Sequence, residues 1–161
     1  GAQSRSFKLG QWTEIQNAII KELLPIEKHE DSFDVCQSLF DSLRGITQGV
    51  YLLGELSSTS LDAIQGLGEL LSTKIMATKL ASVGISSKWI DARQIIKTLT
   101  SAGKTVVDVK KTYANVVAMV ADNPITTVFV VPGFIASDED GRMTTLGRGG
   151  SDTSAATLRT S

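Results

Sequence analysis

The sequence predicts an α/β fold that is rich in helix, and three observations predict it. Apolar residues recur at three- and four-residue intervals through most of the first two thirds of the chain, the spacing of amphipathic helices. Residues 127–131, Thr-Val-Phe-Val-Val, form an unbroken β-branched and aromatic run of the kind that a parallel sheet buries on both faces. The turn Asp138-Glu139-Asp140-Gly141 separates two short extended segments, as in a hairpin. Helices that alternate with buried strands imply α/β.

The elements follow in order. Trp12, Ile15, Ile19, Ile20 and Leu23 share one helical face, Thr13 and Gln16 have capping-box spacing, and Pro25 stops the helix. The polar run 27–31 reads as a loop with His29 solvated in it. A second helix carries the stripe Cys36, Leu39, Phe40, Leu43, Ile46, Val50 and Leu53, and Gly45 and Gly49 are candidates for a break. Residues 57–60 are a linker or cap, and a short helix over 61–65 ends near Gly66. Gly68 and Glu69 then open a longer helix that Gly84 stops. Residues 85–90 read as a strand, and Asp91 caps a short helix over Ile95, Ile96 and Leu99. Asp108 begins another helix with Val109, Tyr113, Val116, Val117 and Val120 inward, closed by Asn123-Pro124. After the 127–131 strand, residues 134–137 and 142–145 are the hairpin arms, 146–150 a tight loop, and Ser151 the start of a last helix. Residues 1–10 are expected to be frayed or extraneous to the fold. There is no internal repeat or low-complexity tract.

Composition narrows the function. The chain has 161 residues, 42% hydrophobic and 20% charged, which fits one domain with a core of useful size. A formal net charge of −1 argues against a nucleic-acid or anionic-membrane surface, because both need a basic excess. No apolar run approaches the length of a membrane span. Cys36 is the single cysteine, so an intrachain disulfide and a CxxC metal site are both excluded, and the compartment reads as the reducing cytoplasm. His29 is the single histidine, and nothing near it supports a Ser–His–Asp triad. Ala102-Gly103-Lys104-Thr105 imitates the end of a phosphate-binding P-loop, but Thr98 stands where that motif needs glycine, and the stretch is read as following a helix rather than a strand. The acidic residues 138–140 read as a solvated hairpin tip, and no metal ligand set is assigned.

Gly147-Arg148-Gly149-Gly150-Ser151-Asp152 concentrates the chemistry. Glycine lets the backbone take positive φ and approach a ligand closely. The loop feeds a helix N-terminus, whose free N–H groups and positive dipole end favour an anion. Arg148 adds a planar fork for carboxylate or phosphate, and Ser151 a hydroxyl. Asp152 makes sense beside an anion if it orients a lysine. A capped helix after a flexible loop, with Ser151 as N-cap, accounts for the same local pattern.

The wider context resembles the aspartate kinase signature. Pro132-Gly133-Phe134-Ile135 comes first, then a charged turn with Gly141-Arg142, then Thr-Thr-Leu-Gly-Arg-Gly-Gly-Ser-Asp over 144–152 and a small-residue helix start. Thr153 departs from the family, which often has an aromatic residue there. Upstream, Gly68-Glu69-Leu70-Leu71-Ser72 resembles the family's GE-x-x-S helix start, although a carboxylate in a first helical turn is stable with no ligand. Trp89-Ile90-Asp91-Ala92-Arg93 fits the family's strand-to-helix junction, where plain capping by Asp91 is the preferred reading. The resemblance implies a three-layer, carbamate kinase-like amino-acid kinase fold, present in part, with residues 11–161 as one partial catalytic domain.

It also implies roles. Arg148 pairs with the α-carboxylate of L-aspartate and Glu69 with its amine. Phe134 and Ser151 line the β-carboxylate, through a backbone N–H and a hydroxyl. Gly147, Gly149 and Gly150 present N–H groups to the ATP phosphates, with Thr145 close by, and Asp152 holds the catalytic lysine. The β-carboxylate, already ionised at pH 7 and needing no general base, attacks the γ-phosphoryl group; positioning and charge stabilisation do the rest. Mg²⁺ rides mainly on the phosphates. The family's opening strand bears Lys-Phe-Gly-Gly, which these residues lack, so the chain is expected to be an excised piece, inactive alone, with exposed sheet edges that favour a homo-oligomer. Arg44-Gly45-Ile46, Leu52-Leu53-Gly54 and Asp62 resemble the inserted helices of bifunctional aspartokinase–homoserine dehydrogenases. Two alternatives stay open: an amino-acid kinase with another acceptor, and a non-catalytic packing or regulatory domain.

Overall fold

The computed structural model describes residues 2–101 and 103–159, with side chains described from residue 11 onward. The chain opens with three long helices, α1 (Ala2–Leu23), α2 (His29–Leu53) and α3 (Ser58–Ser82). Helix α1 packs on α2, and α2 on α3. Because α1 already runs through Thr13, the Thr13/Gln16 spacing is not its start. The proposed boundary at residue 10 falls on side chains outside the described residues.

His29 is not a solvated loop residue. It begins α2 after a single 3-10 turn, Ile26–Lys28, and is half-buried. Its ring nitrogen Nε2 donates to the Leu24 carbonyl at 2.9 Å, and the ring tilts against Phe33 with centroids 5.7 Å apart. The imidazole thus satisfies a carbonyl that Pro25 leaves without a helical partner. Gly45 and Gly49 do not break α2, which continues to a left-handed Gly54 at φ 69°. Ile20, Leu24, Cys36, Leu71 and Ile75 form the small core of this helical layer.

Ser57 caps α3 by accepting the Ser60 N–H, as the serine cluster predicts. The expected division at Gly66 and Gly68 is overturned, since α3 is one helix. Gly66 serves packing instead: a Cβ there would come within 2.3 Å of Met143 Sδ and 2.9 Å of Ile135 Cγ2. Glu69 therefore lies in the interior of a long helix, not in its first turn.

Strand β1 (Ser87–Trp89) pairs in parallel with β4 (Val128–Val130). Val128–Val130 are half-buried rather than enclosed on both faces, because among the described residues β4 hydrogen-bonds to β1 alone. Between the two strands lie α4 (Ala92–Ile95), a hairpin of β2 (Thr98–Ser101) and β3 (Lys104–Val107), and α5 (Val109–Ala121). Asp91 caps α4 as expected, but the helix stops at Ile95 and Leu99 belongs to β2. The P-loop imitation is the turn of this hairpin, with Gly103 at φ 74°, so it follows a strand after all; it opens no helix at its lysine, and the Walker reading stays rejected. Helix α5 is rotated from expectation. Thr112 and Val116 are buried, whereas Val109, Tyr113, Val117 and Val120 are exposed. The rotation has a polar cause: the Lys97 N–H donates to Thr112 Oγ1 at 3.0 Å, which draws that face inward.

The second hairpin forms as read, each arm one residue shorter at its start: β5 (Ile135–Ser137) pairs with β6 (Met143–Thr145) in the register Ile135↔Thr145. Asp138 Oδ1 accepts the Arg142 N–H, Gly141 takes φ 79°, and the Arg142 guanidinium pairs with Asp138 and Asp140, so the acidic tip carries its own counter-charge. The last helix, α6 (Gly150–Arg159), packs on α5 and β5. Ile90, Ile95, Ile96, Ile135 and Ala136 make the main core, with Leu70 from α3 and Val116 from α5.

Candidate functional site

The resemblance gathers its site residues where β4 turns into β5 and where β6 runs into α6. Phe134 is the one non-glycine among the described residues with positive φ, 69°, and the Ile135 N–H donates to the Gly133 carbonyl at 2.8 Å. Together these make a tight γ-turn of the strained kind, a conformation that persists only where surrounding contacts hold it. The contacts come from α6 and from the loop that precedes it. The Phe134 N–H donates to Ser154 Oγ at 3.1 Å, and the Leu146 N–H to the Phe134 carbonyl at 2.8 Å.

Two glycines let the backbones close together. A Cβ on Gly133 would lie 2.9 Å from Ser151 Oγ and 3.2 Å from Ser151 Cα. A Cβ on Gly150 would lie 2.7 Å from Phe134 Cδ2 and 3.2 Å from Phe134 Cα. Only hydrogen fits at either position, so the 133–134 turn and the 150–151 helix start form one unit. Gly147 and Gly149 take φ 70° and 72°, which bends the loop into α6. The Gly150 N–H is used by the Gly147 carbonyl, and the first helical bond runs from Thr153 to Gly149. The Ser151 and Asp152 N–H groups thus have no backbone acceptor among the described residues and point the positive end of the α6 dipole at solvent.

The candidate side chains divide. Phe134 and Gly150 are packed in this unit, and Ser151 touches Gly133. Ser151 is not the N-cap, because α6 already begins at Gly150. Arg148 and Asp152 are exposed, and neither has an ion-pair partner among the described residues. Two expected contacts are already engaged internally: the Phe134 N–H by Ser154, and the Thr145 hydroxyl, which donates to Asp62 Oδ1 at 2.7 Å. Glu69 is half-buried on α3, two helical turns beyond Asp62, on the face that meets β6. Asp62 and Ser154 were not assigned to the site from sequence. The signal for Asp62 was its seven-residue offset from Glu69, one face of a helix; Ser154 follows Gly150 at i+4 but looks like any small helical residue.

A polar frame backs the hairpin. Thr98 and Thr144 hydroxyls meet at 2.9 Å, and Lys97 Nζ donates to Ser137 Oγ at 2.8 Å and to the Arg93 carbonyl at 2.6 Å. Burial, then the nearby Lys111, lowers the Lys97 pKa from its usual value. Asp91 chelates Arg93 through both carboxylate oxygens, and this hydrogen-bonded partner raises the Arg93 pKa. A cleft of about 580 Å³ lies elsewhere, between α2, α3 and β1, lined by Lys28, Ser32, Lys74, Thr78 and Trp89. No helix among the described residues is long and apolar enough to cross a membrane.

Residues 10–158 match the model of the amino acid kinase family. The chain belongs to that family. It is similar to aspartokinase 1, chloroplastic, of Arabidopsis thaliana, with 31% identity over 98% of this chain and 29% of that protein. It is similar also to lysine-sensitive aspartokinase 3 of Escherichia coli, with 32% identity over 60% of this chain and 22% of that protein. Among solved structures, Escherichia coli aspartokinase III in complex with aspartate and ADP superposes with a TM-score of 0.80 at 27% identity, over 98% of this chain and 34% of that one. The same enzyme in complex with lysine and aspartate gives a TM-score of 0.84 at 26% identity. The helix-rich α/β architecture is thus an aspartokinase fold, and the chain spans about a third or less of the length of these relatives.

Proposed function

We propose that this amino acid kinase chain carries the aspartate-binding part of an aspartate kinase, which transfers the γ-phosphoryl group of ATP to the β-carboxylate of L-aspartate. The observation that carries the reading is the interlocked unit of the 133–134 turn and the α6 start, with Arg148 free on its loop and Glu69 on the neighbouring α3. A zwitterionic acceptor needs both charges, one for each end.

In this reading Arg148 takes the α-carboxylate and Glu69 the α-ammonium. The Ser151 hydroxyl receives the β-carboxylate. The engaged Phe134 N–H makes that residue a structural support for Ser151 in this state of the chain. Gly147, Gly149 and Gly150 shape the loop that meets the ATP phosphates; with the Gly150 N–H committed to Gly147, the amides of Ser151 and Asp152 are the better donors. Asp152 orients a lysine carried on a segment outside these residues. Mg²⁺ accompanies the nucleotide phosphates; the exposed Asp152 is the carboxylate nearest in sequence to their loop. The single buried Cys36 suits the cytoplasm. The open edge of β4 and the exposed α5 stripe Val109, Tyr113, Val117 and Val120 favour self-association into a homo-oligomer, visible as concentration-dependent sedimentation.

The test is ligand titration of the chain. L-Aspartate should bind more tightly than succinate, which lacks the amine, and Glu69→Gln should erase the difference. Equal binding of both ligands by the unsubstituted chain would favour an amino acid kinase with a different acceptor. Hydroxylamine should trap no acyl phosphate from this chain alone, because the lysine is not within it; a hydroxamate would contradict that placement.

A further inference from the structure

Asp62 has no part in the roles above, yet among the described residues it makes the one side-chain hydrogen bond between α3 and the hairpin. Thr145 Oγ1 donates to Asp62 Oδ1 at 2.7 Å, across 83 residues of sequence. Both residues are half-buried, and the acceptor is a carboxylate oxygen, a stronger acceptor than a neutral carbonyl or hydroxyl.

Its position gives it significance. Asp62, Gly66, Glu69 and Thr73 fall at i, i+4, i+7 and i+11 on α3, one face of the helix. The structure pins three of the four. Asp62 meets Thr145; Gly66 abuts Met143 and Ile135; Thr73 Oγ1 accepts the Trp89 indole N–H at 3.0 Å. Glu69 is the fourth. At the other end of the bond, Thr145 is the last residue of β6, and Arg148 follows it by three positions on a loop bent by two glycines. The Asp62–Thr145 bond therefore ties the helix that bears the carboxylate to the strand from which the guanidinium hangs.

We propose that Asp62 is a positioning residue that fixes the span between Glu69 and Arg148, and so sets selection of an α-amino dicarboxylate over a plain dicarboxylate. The ligand half of the inference rests on the aspartate reading; the latch itself does not. Among the described residues the other ties of α3 to the hairpin are apolar, such as Gly66 against Met143 and Ile135; these tolerate sliding, so without the latch the two charges lose their fixed separation. The carboxylate-binding end is untouched, so binding of a plain dicarboxylate should survive.

The experiment uses Asp62→Ala, Asp62→Asn and Thr145→Val in this chain. Asparagine keeps an oxygen that accepts the threonine hydrogen, so Asp62→Asn is the rescue. Amide exchange is read first. Asp62→Ala and Thr145→Val should speed exchange several-fold at Leu146 and Gly150 and leave the α5 amides unchanged, while Asp62→Asn behaves as the unsubstituted chain. Titration is read second. A preference for L-aspartate over succinate of about tenfold, the size of one charged hydrogen bond, should fall below about threefold in Asp62→Ala, with succinate affinity unchanged. Exchange at Leu146 and Gly150 that ignores Asp62→Ala overturns the latch. Equal weakening of both ligands, or failure of Asp62→Asn to restore the preference, overturns the positioning role and leaves a purely structural bond. If the unsubstituted chain shows no preference, the aspartate reading fails with the selectivity claim, and the exchange result alone supports or overturns the latch.

Discussion

The helical layer α1–α3 and the loop unit around α6 are assembled on different plans. In the helical layer, Ile20, Leu24, Cys36, Leu71 and Ile75 meet as apolar side chains, and the glycines Gly45 and Gly49 have nothing within 4 Å of a Cβ position. In the loop unit the backbones themselves touch, and Gly133 and Gly150 have no room for a Cβ. The first plan tolerates exchange of one apolar residue for another. The second leaves no room for an added methyl group at the contact, the kind of close backbone packing that suits a site that must place charges on a small ligand.

Cavity formation should give the largest effects and test whether the two regions are energetically separate. Ile135→Ala and Ile20→Ala each empty a fully buried position and should each cost about 2–5 kcal/mol in urea unfolding. Ile135→Ala alone should also perturb the amide resonances of Leu146 and Gly150. Equal perturbation by Ile20→Ala would dissolve the distinction.

Glycine substitutions should give smaller effects of opposite sign. Gly150→Ala and Gly133→Ala insert a methyl group into backbone contacts and should cost about 1–3 kcal/mol. Gly45→Ala and Gly49→Ala, in open helical positions, should stabilise by about 0.5–1 kcal/mol, read as a rise in the urea midpoint. Gly66→Ala should fall between, since the flexible Met143 side chain can yield.

The smallest effect concerns pH. Burial raises the pKa of the Cys36 thiol. A raised folded-state pKa means that the unfolded chain loses this proton first, so stability is full below the ordinary thiol range, about 8.5, and declines as pH rises through and above it. Cys36→Ala should flatten this alkaline decline in urea midpoints measured across pH. A decline of the same slope in Cys36→Ala would assign it to other groups.

The same contrast explains what could be read from the sequence. Turn chemistry is local, so the 138–141 turn, the glycine loop and the caps at Ser57, Asp91 and Asp108 were legible and fall where the residues put them. The continuity of α2 through Gly45 and Gly49, and of α3 through Gly66, was not, because a glycine's cost of about 1 kcal/mol is smaller than the packing that surrounds a long helix. The β2–β3 hairpin was hidden because Leu99, Val106 and Val107 fit a helical stripe as well as a strand. The rotation of α5 was hidden because it turns on Thr112, whose partner is a backbone N–H fifteen residues away. The site motif was visible as a string, whereas the partnership of Asp62 with Thr145 needed the fold to bring them together.

The central claim is that the 147–152 loop and α3 form a site for an amino dicarboxylate. Titration of the chain with L-aspartate, followed residue by residue through amide chemical shifts, tests it most directly. The account predicts saturable shifts at residues 147–152 and around Glu69, weaker with succinate and abolished by Arg148→Ala. Shifts confined to the cleft between α2, α3 and β1, or no shifts at millimolar ligand, would contradict it.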